Sequence, residues 1–494
     1  MIPLLKIVIS GVGFAGVLTG GAVLLRRANR VVAATALGLI LVAVYACCRS
    51  QLVPYHADPE QRGFLLTGDE PDYLLSALSL ARDGDINIAN NIRQSDALLF
   101  QSRPVGGGDF DFFNRISKGR ITARRGDWGD SRYMQHRPGI SAFIAPVFGL
   151  AQGDFRWWAY VLISSAVVVF MVMGFIVATS SGVDRGLAGV ACMGSALAPP
   201  ALFYANQVYP EAVAGCLLAG AALACMAGGR RVWFAVPVLV AVIWFSDRAL
   251  PAFAIMSVMA VWRLPSPAHR MAAGILLTLD VILFSQYCQH RFGIPLPISH
   301  NEVFECSLAL VPRRMFQILF DGMQGWVWLY PPVLLVPALT WTLVRQRPLP
   351  WVPLIILVAI LLNLAMVASF GDWRGGTNPR GRYYVISQFL LLPLWFHWLR
   401  ETVGRAVRVR RLWFIVLMAM ALIPLPWLAG HPSWWYRPYH PFFGWEPIQR
   451  YYAWIPALPD EAGWREWAKL LAWMPVLLIP SVSCLRAEIK RDGP

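Results

Sequence analysis

The chain alternates between long apolar runs and short polar connections. Each run holds roughly 18–22 residues, enough for a helix to cross a hydrocarbon layer about 30 Å thick. Backbone amides in lipid need partners within their own segment, and these runs exceed the roughly 10-residue strands of a membrane barrel. The pattern therefore predicts an all-α polytopic membrane protein with about 13 transmembrane helices.

The predicted spans fall into two N-terminal helices within residues 1–48 and a bundle within 139–486. They are 3–25, 31–48, 157–180, 186–205, 210–228, 232–247, 250–262, 271–290, 325–344, 351–371, 383–400, 411–429 and 468–486. A shorter apolar stretch covers 139–150. Arg26, Arg27 and Arg30 follow the first run directly, which favours a retained anchor over a cleaved signal peptide.

Composition and charge support this class. Hydrophobic residues make up 57% of the chain and charged residues 14%, against about 25% charged in soluble proteins. The net charge of +15 comes from Lys and Arg in the connections between apolar runs, not from one basic face. This is the positive-inside pattern, and it predicts no nucleic-acid partner.

The basic connections share one side of the membrane if the N-terminus lies outside. The tail 487–494 is then cytoplasmic, in a bacterial-type inner (plasma) membrane. The external connections are 49–138, 291–324, 372–382 and 430–467. This count of crossings holds only if 139–150 does not cross fully, or if a short span near 232–262 is miscounted. The aromatic-rich loop 430–467 suits an interfacial belt, with a sugar-stacking platform as the alternative.

The first external loop carries the densest group of acidic residues. Asp69 and Glu70 precede Pro71, and an apolar stripe follows, which predicts a juxtamembrane helix lying flat on the membrane. Both carboxylates would lie at the positive end of its dipole. They are candidates for a catalytic base, while capping of the helix is the alternative. Tyr73 belongs to the same segment and is a candidate for substrate contact.

Basic residues in two external segments are candidates for binding a lipid phosphate. His136 and Arg137 close the first loop, and a guanidinium offers paired donors that match phosphate oxygens. An arginine that only snorkels to the interface is the alternative for Arg137. The loop 372–382 adds Arg374, Arg380 and Arg382 where the positive-inside rule predicts few cations. For these three, headgroup binding is the alternative.

Together these motifs resemble the GT-C superfamily of membrane glycosyltransferases, especially protein O-mannosyltransferases and the aminoarabinose transferases of lipid A. The resemblance rests on Gly-Asp-Glu-Pro at 68–71, His-Arg-Pro at 136–138, and the segments 204–211, 292–297 and 373–384. It covers the chain from about residue 60 to 390. Gly139 departs from the second proline of the family's His-Pro-Pro element.

The resemblance implies an inverting transfer of a sugar from a polyprenyl-phosphate donor to a glycan, lipid or protein acceptor on the external face. Asp69 or Glu70 would be the base, and His136, Arg137, Arg380 and Arg382 would bind the lipid phosphate. Tyr73, Glu211, Trp373 and Arg374 are candidates for substrate contacts.

Two points stay open at this stage. No cofactor is predicted with certainty, although Asp69 and Glu70 leave a divalent cation open. A transporter or flippase for a lipid-linked or anionic substrate is the competing class, supported by Glu211 and by the charged pair Asp247 and Arg248.

Overall fold

A computed structural model describes most of the predicted bundle. The described residues are 25–26, 28–50, 70–88, 90–91, 127–128, 131–132, 137–150, 155–292, 309–321, 325–370, 381–400, 404–422 and 464–491. Nearly all of the first predicted span and most of each predicted external loop lie outside these ranges.

The described part of the chain is predominantly helical. Its helices are α1 (Arg30–Ser50), α2 (Glu70–Asp83), α3 (Pro138–Leu150), α4 (Phe155–Ser180), α5 (Arg185–Leu197), α6 (Pro199–Ala205), α7 (Pro210–Ala227), α8 (Ala235–Phe245), α9 (Leu250–Arg263), α10 (Pro267–Phe292), α11 (Val311–Phe320), α12 (Trp326–Leu329), α13 (Val336–Arg345), α14 (Trp351–Ser369), α15 (Val385–Leu399), α16 (Arg405–Leu422) and α17 (Trp464–Arg491). Four 3₁₀ turns connect some of them: Gly229–Phe234, Asp247–Ala249, Pro331–Leu335 and Arg382–Tyr384. Two short antiparallel strands, β1 (Asp127–Trp128) and β2 (Ser131–Arg132), pair in the first loop.

Several of these helices are long and apolar enough to cross a membrane. In the described ranges, six qualify by length and composition, or seven if the bent pair of α5 and α6 is one span. The six lie in α1, α4, α7, α10, α14 and α17. The prediction of a helical membrane protein is thereby confirmed at this level, while the number of about 13 spans stays a prediction.

The remaining predicted spans are shorter or broken. The segment 232–247 contains the 11-residue α8, and 250–262 corresponds to the 14-residue α9. Both are shorter than the roughly 20 residues that a full crossing requires. The segment 325–344 is divided among α12, a 3₁₀ turn and α13. These are the regions where the count of crossings was least determined by the sequence.

Helices α5 and α6 form one apolar segment that bends by 65° at Ala198. Pro199 and Pro200 occupy the first positions of α6. Because proline lacks the amide hydrogen and its ring clashes with the preceding turn, α5 cannot continue through them. The residues that follow α6, 206–209, form a non-helical connection that is buried inside the protein. Such backbone is tolerated at membrane depth only where protein or water surrounds it.

Helix α2 forms where the sequence predicts it, with Pro71 in its first turn. Residues 73–79 are buried on every side, including Ser76 and Ser79, and α2 packs against α3. The prediction of a single buried stripe is therefore wrong for this half, while the flat orientation on the membrane stays a prediction. The first two turns are instead enclosed by the bundle, with α3, about 20 Å long at 13 residues, beside them.

Candidate functional site

The N-terminus of α2 is tied to the connection between α6 and α7. The Glu70 side chain is fully buried, and its Oε1 accepts a hydrogen bond of 2.7 Å from the Val208 backbone amide. Ser141 of α3 donates to the Tyr73 carbonyl at 3.0 Å. Buried polar groups rarely stay without partners, so these bonds give α2 one defined position against α3 and α7.

Aromatic rings continue the contact from α2 toward Arg382. Tyr73 meets Tyr209 edge to face with ring centroids 6.1 Å apart, and Tyr204 meets Tyr209 at 5.4 Å. The Arg382 guanidinium lies over the Tyr209 ring at 4.4 Å. An arginine over an aromatic face is attracted by the ring quadrupole, which is stronger when both are removed from water.

Glu211 is the carboxylate at the centre of this region. It lies in the first turn of α7, behind Pro210, where the helix dipole favours a negative charge. Its Oε1 lies 2.7 Å from Arg382 Nε and 3.4 Å from Arg248 Nη1. Glu211 and Arg382 are buried and Arg248 is partly buried. One buried carboxylate therefore balances two guanidinium groups that come from different parts of the chain.

Arg248 is held by the 3₁₀ turn between α8 and α9. Its guanidinium lies over the Tyr383 ring at 3.8 Å, and its backbone carbonyl accepts a 2.7 Å bond from Asn363 Nδ2. Asn363 Oδ1 in turn accepts from Ser387 Oγ at 2.9 Å. Desolvation by burial lowers the pKa of Arg248, but Tyr383, Asp247 and Glu211 outweigh it and the pKa lies above its ordinary value. The side chain therefore stays cationic.

Arg137 occupies the start of α3 and pairs with Asp247 at 2.8 Å. Its guanidinium also lies 5.6 Å from the centre of the Phe284 ring of α10. Gly139 makes this approach possible, since a Cβ there would lie 2.5 Å from the Trp244 carbonyl oxygen of α8. The departure from a second proline at residue 139 thus has a packing reason: only glycine leaves room for the backbone of α8.

Gly381 orients Arg382 on the other side of the site. It has a φ of +82°, a conformation that residues with a Cβ rarely adopt, directly before the 3₁₀ turn Arg382–Tyr384. A Cβ at Gly381 would also lie 3.0 Å from Pro200. The conformational freedom of Gly381 thus serves to turn the chain and to pack it against α6.

We refer to these residues as the Glu211 cluster: Glu70, Tyr73, Arg137, Tyr209, Glu211, Asp247, Arg248, Arg382 and Tyr383. It unites the starts of α2, α3 and α7 with the connection between α6 and α7, the turn between α8 and α9, and the turn before α15. Five residues predicted for the site belong to it: Glu70, Tyr73, Arg137, Glu211 and Arg382. The other predicted residues lie outside the described ranges: Asp69, His136, Trp373, Arg374 and Arg380.

The ion pairs change the interpretation of two predicted phosphate ligands. Arg137 pairs with Asp247, and Arg382 pairs with Glu211. Both guanidinium groups are therefore already matched to a carboxylate in the protein alone. Phosphate binding by either residue stays a prediction, and a phosphate would have to compete with these carboxylates or approach the guanidinium from another side.

Other members of the site were not predicted as site residues. Asp247 and Arg248 form a charged break between two short apolar helices, and this break was the available signal. Asn363 and Ser387 lie inside apolar runs and carry no such signal on their own. In the described ranges, no group of three or more His, Cys, Asp or Glu residues is arranged to hold a metal ion.

Comparison of the chain with protein-family models, curated proteins and solved structures finds no match.

Proposed function

We propose that the protein is an inverting GT-C-type glycosyltransferase that moves a sugar from a polyprenyl-phosphate donor to an envelope glycan, lipid or protein. The observation that carries the proposal is the Glu211 cluster, in which Glu70, Arg137 and Arg382 converge from distant segments. Buried charge in a membrane bundle is costly and is typically retained where it pairs or acts. In the proposed architecture about 13 spans support an external first loop, with the N-terminus outside and the C-terminus cytoplasmic.

The proposed reaction gives different roles to the two neighbouring acidic residues, Asp69 and Glu70. Asp69 takes the proton from the acceptor hydroxyl while that oxygen attacks C1 of the sugar. The bond between C1 and the phosphate oxygen breaks, the configuration at C1 inverts, and polyprenyl phosphate leaves. Glu70, whose carboxylate already binds the Val208 amide at 2.7 Å, is the positioning residue that holds the start of α2.

The departing phosphate is negative and needs cations near it. In this proposal the arginines of the 372–382 loop, together with His136 and Arg137, supply that charge. Glu211 keeps Arg382 and Arg248 in a fixed geometry, so that little reorganisation is needed when negative charge develops on the lipid phosphate.

The base is tested with Asp69→Asn and Glu70→Gln in membranes supplied with labelled polyprenyl-phosphate hexoses. We expect Asp69→Asn to abolish transfer with an unchanged Tm, since an amide cannot accept the proton. Glu70→Gln keeps an oxygen acceptor for Val208 and should show a milder loss. Full activity of Asp69→Asn with an inactive Glu70→Gln would exchange the two roles, and full activity of both would refute this loop as the catalytic one.

The orientation is tested separately by cysteine labelling in a cysteine-free background. Cysteines replacing Ser95 and Ser131 should react with an impermeant thiol reagent in intact spheroplasts, whereas one replacing Arg405 should react only after lysis. Reversed labelling would contradict an external site, because it would place the first loop in the cytoplasm.

A transporter or flippase is the second candidate. The bent pair of α5 and α6 resembles the discontinuous helices of secondary transporters, and Asp280 is a buried carboxylate near the middle of α10. Against this, Glu211, Asp247 and Arg248 are all engaged in ion pairs within one cluster. Uptake or flipping of a labelled lipid-linked sugar in proteoliposomes, without transfer to an acceptor, would favour the transporter.

A further inference from the structure

The connection between α6 and α7 contains a buried amide side chain that forms no hydrogen bond. Gln207 is 1% exposed, and neither its Oε1 nor its Nε2 has a partner in the described part of the chain. Beside it, the Tyr209 amide donates to the Gln207 carbonyl at 3.0 Å and the Val208 amide donates to Glu70. Both hydrogen-bonding groups of the Gln207 side chain lack a partner in the described ranges.

A buried amide without partners is unfavourable, because its hydrogen bonds to water are lost and not replaced. Native proteins contain few such groups, and an amide with both groups unsatisfied indicates a bound partner or a functional role. An apolar side chain of similar length, such as methionine, would fill the same volume without this cost. The presence of glutamine at this position thus points to a molecule that supplies the missing bonds.

The location of Gln207 connects this molecule with the Glu211 cluster. Gln207 directly precedes Val208, which binds Glu70, and lies four residues before Glu211. Glu211 Oε1 is shared by Arg382 and Arg248, but its Oε2 has no partner in the described ranges. The short segment 207–211 therefore presents one unpaired donor group and two unpaired acceptor atoms.

We propose that Gln207 recognises the sugar of the donor by hydrogen bonds to its hydroxyl groups, and that Glu211 Oε2 accepts a hydrogen bond from a further hydroxyl. This inference rests on the proposed function and names the part of the substrate that this segment binds. Each hydroxyl both donates and accepts, which matches an amide that needs one partner of each kind. An ionised phosphate offers only acceptors, so it would leave the amide oxygen of Gln207 without a donor.

The test uses Gln207→Met in the full-length purified protein. The probes are undecaprenyl phosphate alone and undecaprenyl phosphate carrying glucose, mannose or galactose. We expect Gln207→Met to bind the preferred sugar lipid about tenfold more weakly, the equivalent of about 1.4 kcal/mol, and the bare lipid phosphate as the parent does. Its Tm without ligand should equal or exceed that of the parent, because the unsatisfied amide has been removed.

Gln388→Met is the matched control. Gln388 is also a buried glutamine, but its Nε2 donates to the Ser195 carbonyl at 2.9 Å, so that only its Oε1 lacks a partner in the described ranges. This variant should lower the Tm and leave the preference for the sugar lipid over bare lipid unchanged. A Gln207→Met protein with the parent's preference would overturn the inference and leave the proposed transfer standing. A parent that neither binds nor transfers any of the sugars would overturn both.

Discussion

Two regions of the bundle bury ion pairs, and they differ in what surrounds the charges. In the Glu211 cluster one carboxylate faces Arg382 and Arg248, while the Arg410–Glu488 pair, at 3.3 Å, joins only α16 and α17. Arg410 also donates to the Trp398 carbonyl at 3.2 Å and lies 5.4 Å from the centre of its ring. Glu211, Arg382, Arg410 and Glu488 are all buried, whereas Arg248 is partly buried.

The comparison shows that a buried charge is not in itself evidence of a functional site. The Arg410–Glu488 pair links α16 and α17, which already pack against each other. The Glu211 cluster instead fixes many helix ends and stands beside the unpaired amide of Gln207. A buried amide whose oxygen and nitrogen both lack a hydrogen bond in the described ranges, beside a carboxylate shared by two arginines, distinguishes the candidate ligand site from the Arg410–Glu488 pair.

Removal of the central carboxylate should have the largest effect. Glu211→Gln leaves two guanidinium groups without their shared counter-charge, and breaking a buried pair typically costs ~3–5 kcal/mol. We expect a large fall in Tm and, in the folded fraction, about a 100-fold loss of transfer, since Arg382 would no longer be held in position. Thermal unfolding and activity per folded molecule are the measurements.

Glu488→Gln is the corresponding change at the other pair. It should lower the Tm by a smaller amount, because Arg410 keeps its hydrogen bond to the Trp398 carbonyl, and should leave activity per folded molecule unchanged. If both variants lost activity in proportion to their loss of folded protein, the distinction between the two regions would be incorrect.

The sequence predicted where several helices begin and end, but not where they bend or which of their faces are buried. Hydropathy located α4, α7 and α14 closely, because long apolar runs in lipid have few alternatives to a helix. It did not show that α5 and α6 bend by 65°, or that residues 73–79 are buried on all sides. Burial depends on which neighbours pack around a segment, and the periodicity of one segment carries no information on its neighbours.

The candidate site was likewise predicted in part. Charged residues near the membrane were recognisable, so Glu70, Arg137, Glu211 and Arg382 were among the residues selected, and the structure brings them together in one cluster. The partner of each charge was not recognisable, because Arg137 and Asp247 are 110 residues apart and Arg382 and Glu211 are 171 apart. Gln207 gave no signal, since an unpaired amide can be recognised only when its surroundings are known.

The close packing at Gly139 should give an intermediate effect. A methyl group at this position would meet the Trp244 carbonyl at 2.5 Å, and overpacking typically costs ~1–3 kcal/mol. We expect Gly139→Ala to lower the Tm and to reduce transfer as well, because α3 carries Arg137 two residues earlier.

Gly274→Ala in α10 provides the control, since a Cβ there meets nothing within 4 Å. Replacing a helical glycine by alanine should stabilise that variant by up to ~1 kcal/mol. An equal response of both variants would show that the contact between α3 and α8 is not tightly packed.

The smallest effect on stability and transfer is expected for a substitution of Asp280. The same substitution distinguishes a transferase from a transporter. Its Oδ1 accepts a 2.9 Å bond from Trp244 Nε1, and its side chain is 6% exposed. No residue of α8 is charged, and Arg263 at the end of α9 is the only charged residue in that helix. Asp280→Asn retains the acceptor for Trp244, so we expect stability within about 1 kcal/mol of the parent and unchanged sugar transfer.

In a transporter, a carboxylate inside the membrane is expected to carry protons or substrate charge. Replacing it by an amide would then stop transport in proteoliposomes while the protein stays folded. Unchanged transfer by Asp280→Asn would restrict the chemistry to the Glu211 cluster, whereas a folded but inactive variant would move the functional centre into the membrane.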